Sequence, residues 1–220
     1  MLPLLTHLRS LEATEWLQAS LTTFAKNVSS FLPGNLPAYA RVYHPFDSNG
    51  ELSTWRDQLA LSGKQARDPA EAEDFAHYGT PDVQARVGTL AKPVIEVLLQ
   101  HLGPATTTPD NCYFAVWEGF GGSAVPHALT PKLKLLHRAY HVFGGPIAAA
   151  LTSYDAMQFE HPGWPHHMSA NLWWPADHAW CVATEIDFAW TYVGASRACI
   201  DALLANPSLE AVETSAAAHW

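Results

Sequence analysis

Helix-like and strand-like stretches alternate along this chain without the regular strand–helix–strand rhythm of a parallel sheet, and this feature narrows the fold more than any motif does. Leu4, Leu5, Leu8 and Leu11, then Leu17, Leu21, Phe24 and Val28, recur at three and four residues. Residues 1–30 therefore read as an N-terminal helical segment of one or two amphipathic helices. Leu32-Pro33-Gly34-Asn35-Leu36-Pro37 stops it, and Ala38 to His44 alternates as a strand that ends at Pro45. After the Asn49-Gly50 turn, Ser53 is placed to cap a short helix through Leu61, while residues 64–85 are polar and indistinct. Val87 to Leu102 carries the clearest helical stripe, with Pro93 in its first turn and Gly103-Pro104 behind it. Cys112 to Trp117, Leu135 to Val142, Leu172 to Trp174, Ala179 to Thr184, Phe188 to Val193 and Leu209 to Glu213 read as strands; Ile147 to Ala156 and Gly194 to Leu204 read as helices. At 220 residues the chain suits one substantial core. The expected fold is α+β: residues 31–220 form a mixed or mainly antiparallel sheet with packed helices, one compact unit with the segment 1–30.

Charge and cysteine usage exclude several functions. The formal charge is -9, and from residue 139 onward Arg197 is the only Lys or Arg. Such a surface repels phosphate backbones, so nucleic acid and anionic membranes are not expected partners. The cluster Lys132, Lys134, His137, Arg138 and His141 reads as a solvated basic face. Cys112, Cys181 and Cys199 cannot all pair with one another and lack C-x-x-C spacing, which points to reduced, buried thiols in the cytoplasm. The apolar N-terminus is interrupted by His7, Arg9, Glu12 and Glu15, and reads as neither a signal peptide nor an anchor. No run approaches the roughly 18 apolar residues of a membrane span.

Catalytic templates fail on their surroundings. Gly119-Phe120-Gly121-Gly122-Ser123-Ala124 matches a dinucleotide fingerprint, but Pro126 and Pro131 leave no room for the helix that must follow. The acidic residue expected about 20 positions on is missing as well. Ser123 lacks the closing glycine of a nucleophile elbow. His161, His166 and His167, near Glu160, read as surface histidines of a Pro-rich loop rather than metal ligands, and His127, His137 and His141 form no better set. No metal and no cofactor are expected.

Two constellations remain. Glu185 and Asp187 follow an apolar strand directly and share a face if the strand continues, roughly 7 Å apart. Such a pair can share a proton or bind a cation; alternatively each caps a turn or pairs with an arginine such as Arg41 or Arg138. Trp164, Trp173, Trp174, Trp180 and Trp190 lie within one short stretch and serve a core, a sheet face or a recognition surface. Adjacent Trp173 and Trp174 face opposite sides of a strand, so one is available to a groove or interface.

The segments Tyr39-Ala40-Arg41-Val42-Tyr43-His44-Pro45, Phe114-Ala115-Val116-Trp117-Glu118-Gly119-Phe120-Gly121, Leu172-Trp173-Trp174-Pro175-Ala176-Asp177 and Ala179 to Asp187, with Thr191-Tyr192-Val193-Gly194 after them, resemble a bacterial, mainly actinobacterial, family of hypothetical proteins. The resemblance covers roughly residues 30 to 213 and implies a bacterial cytoplasmic single domain, with no activity to carry over. His178 stands where that pattern usually has an arginine.

Two functions of different classes follow as expectations. The first is a non-catalytic, immunity-like or regulatory protein-interaction domain that presents an acidic, Trp-rich face to a basic protein partner. The alternative is an enzyme or small-molecule binder whose pocket gathers Arg41, His44, Trp117, Glu118, Asp177, Glu185 and Asp187, with Arg138, Trp173 and Trp174 as further binding candidates.

Overall fold

A computed structural model describes residues 4–21, 24–48, 51–61, 84–120, 131–135, 138–156 and 167–219. Its strands, in chain order, are β1 (Thr6–His7), β2 (Ala38–Tyr43), β3 (Phe46–Ser48), β4 (Glu51–Ser53), β5 (Gln84–Ala85), β6 (Cys112–Trp117), β7 (Leu133–Leu135), β8 (Arg138–Gly145), β9 (Leu172–Pro175), β10 (Cys181–Thr184), β11 (Trp190–Ala195) and β12 (Ala211–Thr214). Its α-helices are α1 (Glu15–Ser20), α2 (Trp55–Leu61), α3 (Lys92–Leu102), α4 (Ala149–Ala156) and α5 (Arg197–Leu204). Nine of the strands form one sheet in the order β1-β8-β6-β9-β10-β11-β2-β12, with β7 also paired to β8. Strands β4, β3 and β5 form a second, small sheet, and every pairing described is antiparallel. The fold is α+β.

The central strands are apolar on both sides because both faces of the large sheet are covered. Every residue of β2, β9, β10 and β11 is buried. Val42, Phe114, Val116, Trp173, Val182 and Val193 point to one face, where Ile95, Leu98 and Leu102 of α3 and Ile200 and Leu203 of α5 pack on them. Tyr39, Tyr43, Ala115, Leu172, Trp174, Ala183, Trp190 and Tyr192 point to the other, under Leu17, Leu21, Val28 and Leu32 of the N-terminal segment and Trp55 and Leu59 of α2. The period of two thus sends Trp173 into the helix-side core and its neighbour Trp174 into the opposite one. Trp173, Trp174, Trp180 and Trp190 are all buried. The expected Trp-rich face is corrected at these four positions: they are core, because indole area of this size is removed from water most completely between two covered layers. Trp164 lies outside the described residues.

Several boundaries differ from the sequence reading for physical reasons. The described residues among the first thirty hold one six-residue α-helix, two 3-10 turns and strand β1. Leu8 donates its N–H to Val142 O, so the backbone bonds that a helix would need go to the edge of the sheet. Helix α2 is capped by Thr54, whose Oγ1 accepts from Asp57 N while Asp57 returns a carboxylate to Thr54 N, a reciprocal pair that Ser53 does not make. Leu135 and Arg138 to Val142 belong to two antiparallel strands, β7 and β8. Strand β11 runs on to Ala195, and Ser196 caps α5 by accepting from Cys199 N. The cysteines are buried and unpaired. No helix among the described residues is long and apolar enough to cross a membrane.

Trp173 joins the two sides of the helix-facing core, stacked at 6.3 Å on Phe114 and edge-on at 5.4 Å to Trp180. Trp173→Ala is expected to cost about 3–5 kcal/mol, a large share of the roughly 5–15 kcal/mol that stabilises an ordinary domain, in urea unfolding followed by circular dichroism. A loss below about 1 kcal/mol would place the ring outside the core.

Candidate functional site

The N-terminal cover is too irregular to tile the sheet, and a cavity of about 410 Å³ lies between them. Leu172 of β9 and Ala183 of β10 line it on the sheet side, Leu21, Phe24, Ser30 and Phe31 on the cover side, and Leu135 on the β7 flank. Ala183 is small, so the floor is low beneath the gap. The aromatic wall is continuous with the core: Phe31 meets Phe188 edge-on at 5.4 Å and stacks on Tyr192 at 6.0 Å.

One end of the cavity is charged. Strand β10 stops at Thr184, and Glu185 to Phe188 forms a turn closed by Phe188 N donating to Glu185 O at 3.1 Å. Gly88 holds this turn: its N–H donates to Phe188 O at 2.9 Å, its φ is 73°, and a Cβ there would strike the backbone of Ile186. Glu185 and Asp187 therefore do not share a strand face; they converge because one guanidinium serves both. Arg138, first residue of β8, donates through Nη2 to the Glu185 carboxylate and, at 2.9 Å, to Asp187. Trp117 backs the guanidinium at 5.5 Å. Tyr140, two residues along β8 and so on the same face as Arg138, also lines the cavity. Glu185 has the deepest of these charged side chains, 10% exposed against 27% for Arg138 and 73% for Asp187.

Burial pushes the Glu185 carboxyl above its ordinary range, and the Arg138 charge and hydrogen bond only partly oppose it. On the Arg138 side, burial works against the charged form but Glu185 and Asp187 outweigh it and hold the guanidinium more firmly protonated. Ionisation is therefore contested at the carboxyl. Tyr140 is raised by burial and, next, by the nearby Glu185 charge.

Behind the cavity floor, on the helix side of the sheet, His44 is fully buried between two fixed partners. Its Nδ1 lies 2.6 Å from Arg86 O and its Nε2 lies 2.8 Å from Thr191 Oγ1. Because a carbonyl only accepts, Nδ1 carries the hydrogen; Nε2 then accepts from Thr191, and Thr184 donates to Thr191 at 2.7 Å. This chain ties the end of β10 to β11 and β2. Asn171 secures the other side, accepting from Trp117 N at 2.8 Å and donating to Thr184 O at 3.2 Å.

Of the residues singled out in the sequence, Arg138, Glu185 and Asp187 line the cavity, and Trp117 supports Arg138. The others lie elsewhere. Arg41 and His44, three positions apart, fall on opposite sheet faces, which prevents a common pocket. Arg41 is buried over Trp190 and Tyr192, at 5.0 and 5.5 Å, with a 3.3 Å bond to Tyr192 Oη; its Nε has no hydrogen-bond partner among the described residues. Glu118 pairs with Lys132 at 2.7 Å on the surface. Asp177 precedes β10 while Glu185 follows it, so roughly 10 Å of strand separates them. Its carboxylate accepts from Thr106 Oγ1, Thr107 N and Thr107 Oγ1, and although its partial burial opposes ionisation these bonds bring its pKa down to about 2. Trp173 and Trp174 are core, the latter donating to Ala13 O at 3.2 Å. Ser123 and Gly121 to Ala124 of the glycine motif, and His127, His137, Glu160, His161 and His166, lie outside the described residues. Among those described, no group of three or more His, Cys, Asp or Glu is placed to hold a metal ion.

Sequence reasoning missed Tyr140, Phe31, Phe188 and Asn171. Tyr140 was within reach, since its strand places it on the Arg138 face; nothing in the pattern marked the rest. No family model, no curated protein and no solved structure matches this chain, so its resemblance to a bacterial family rests on the motifs alone.

Burial lowers His44 to about 4 from 6.5. The unfolded chain thus binds a proton that the folded one resists, so His44 favours folding above about pH 6.5 and this contribution drains away as pH falls toward 4. His7 and His178, also lowered by burial, act in the same sense. Through His44 alone, unfolding free energy measured in urea should fall by up to about 1.4 kcal/mol per pH unit across that window, read as the shallower slope of His44→Gln. Equal slopes in the two proteins would contradict a neutral, buried His44.

Proposed function

We propose that this protein binds a small organic molecule in the cavity between the sheet and its N-terminal cover. The observation that carries the reading is one space of about 410 Å³, walled by Leu21, Phe31, Leu172, Ala183 and Phe188, that ends on the Arg138, Glu185 and Asp187 group. Ligand sites have this character: a mostly apolar enclosure, a few hundred cubic ångströms in size, with a small number of polar groups at one end to fix orientation. The apolar body of the ligand lies against Leu172 and Ala183, and its polar end meets the turn Glu185–Phe188.

The protein-interaction reading rests on the acidic charge, the clustered tryptophans and the failure of the catalytic templates. With Trp173, Trp174, Trp180 and Trp190 in the core its tryptophan support falls away, and the cavity supports ligand binding more directly. A charge of -9 disfavours nucleic acid, and three buried, unpaired thiols fit a reducing, cytoplasmic setting.

The test uses N-phenylnaphthylamine, a neutral apolar dye that fluoresces on leaving water. Native protein is expected to bind it saturably at one site. Ala183→Phe, which fills the floor, should abolish that binding while leaving the circular dichroism spectrum native. An unsaturable signal, or binding unchanged in Ala183→Phe, would overturn the reading.

A further inference from the structure

We infer that the molecule this cavity takes carries a cationic ammonium head, seated against Glu185 and Asp187. The inference rests on the ligand-binding reading above and adds the chemistry of the head group. It begins from charge balance: the described residues lining the cavity include one cation and two carboxylates, so the charged end is left with a net negative charge.

The cation is already engaged. Arg138 uses Nη2 for both carboxylates, and Trp117 covers its guanidinium at 5.5 Å. An anionic head drawn to Arg138 would lie beside the Glu185 and Asp187 carboxylates and be repelled by both. An ammonium meets the opposite situation. Each carboxylate has lone pairs that a single Arg138 nitrogen does not use, and an N–H donor with a positive charge makes the stronger class of hydrogen bond to them.

Depth and neighbours favour the same head. Asp187 is 73% exposed and marks the rim, while Glu185, 10% exposed, marks the inner position. An entering cation therefore passes from a hydrated carboxylate to a desolvated one. Tyr140 and Phe188 also line the cavity, and aromatic side chains are the usual neighbours of bound ammonium groups. Burial leaves the Glu185 carboxyl short of compensation with Arg138 alone, and a second cation would supply it. The chain's net charge of -9 draws cations toward the site at long range.

Phenylbutylamine, phenylbutanol and phenylbutanoate share one apolar body and differ only in the head. In competition against N-phenylnaphthylamine at pH 7.5, the amine is expected to bind on the order of tenfold tighter than the alcohol, with the carboxylate weakest. Glu185→Gln should remove most of the amine's advantage, lowering affinity for the amine far more than for the alcohol, and Asp187→Asn, at an exposed position where folding is not at stake, should reduce it less. Affinity for the amine should also weaken as pH falls toward the titration of Glu185. Saturable dye binding blocked by Ala183→Phe, but with equal affinity for the three heads or with the carboxylate tightest, would overturn this inference and leave the cavity reading standing. Failure of dye and all three compounds to bind would remove both.

Discussion

A sheet covered on both faces must satisfy every polar group inside it, and the other features of this molecule follow from how it does so. The buried hydroxyls of Tyr39, Thr184 and Thr191 are tied down, the first to Pro33 O and the other two to each other and to His44, while Trp190 Nε1 has no hydrogen-bond partner among the described residues. The tryptophans of β9 go one to each core. Thr184, Thr191 and His44 form a hydrogen-bonded chain ending on Arg86 O, which leaves His44 neutral and without room for a proton. Arg41 is the most expensive of the buried polar groups: its guanidinium rests on two aromatic faces and one hydroxyl, and its Nε has no hydrogen-bond partner among the described residues.

The same covering produces the cavity. On the helix side, α3 and α5 present apolar faces that pack on the strands. On the other side, beside α2, the described residues of the N-terminal segment supply one short α-helix and two 3-10 turns, too little for a continuous face, and the low floor at Ala183 leaves space beneath Phe31. Where β10 ends, the turn Glu185–Phe188 is held from behind by Gly88 and the Asn171 and His44 contacts, so the carboxylates meet Arg138 from a fixed support rather than from a free loop.

How far this was legible in the sequence varies residue by residue. The α+β class and most strands could be read because a strand buried on both sides is a short apolar run, whichever partners it takes. Cys112–Trp117 and Cys181–Thr184 are of this kind. The leucine spacing at the N-terminus misled, since an irregular cover lying on a sheet also needs a leucine every third or fourth residue. Arg41 and His44 could have been separated by the period of two alone. Glu185 and Asp187 were recognisable as a carboxylate pair with Arg138 as a partner, but their meeting point depends on where β10 ends, which long-range pairing with β9 and β11 decides. The cavity itself was not legible: it reflects what the packing leaves unfilled, and no local pattern records that.

The central claim is that a buried carboxylate, short of positive charge, stands at the end of a ligand cavity. Carbon-detected NMR titration of the Glu185 carboxyl, with and without phenylbutylamine, tests it most directly. In the free protein Glu185 should titrate above 4.5, and saturating amine should bring it down. A Glu185 that titrates at its ordinary value and does not respond to the amine would contradict the account.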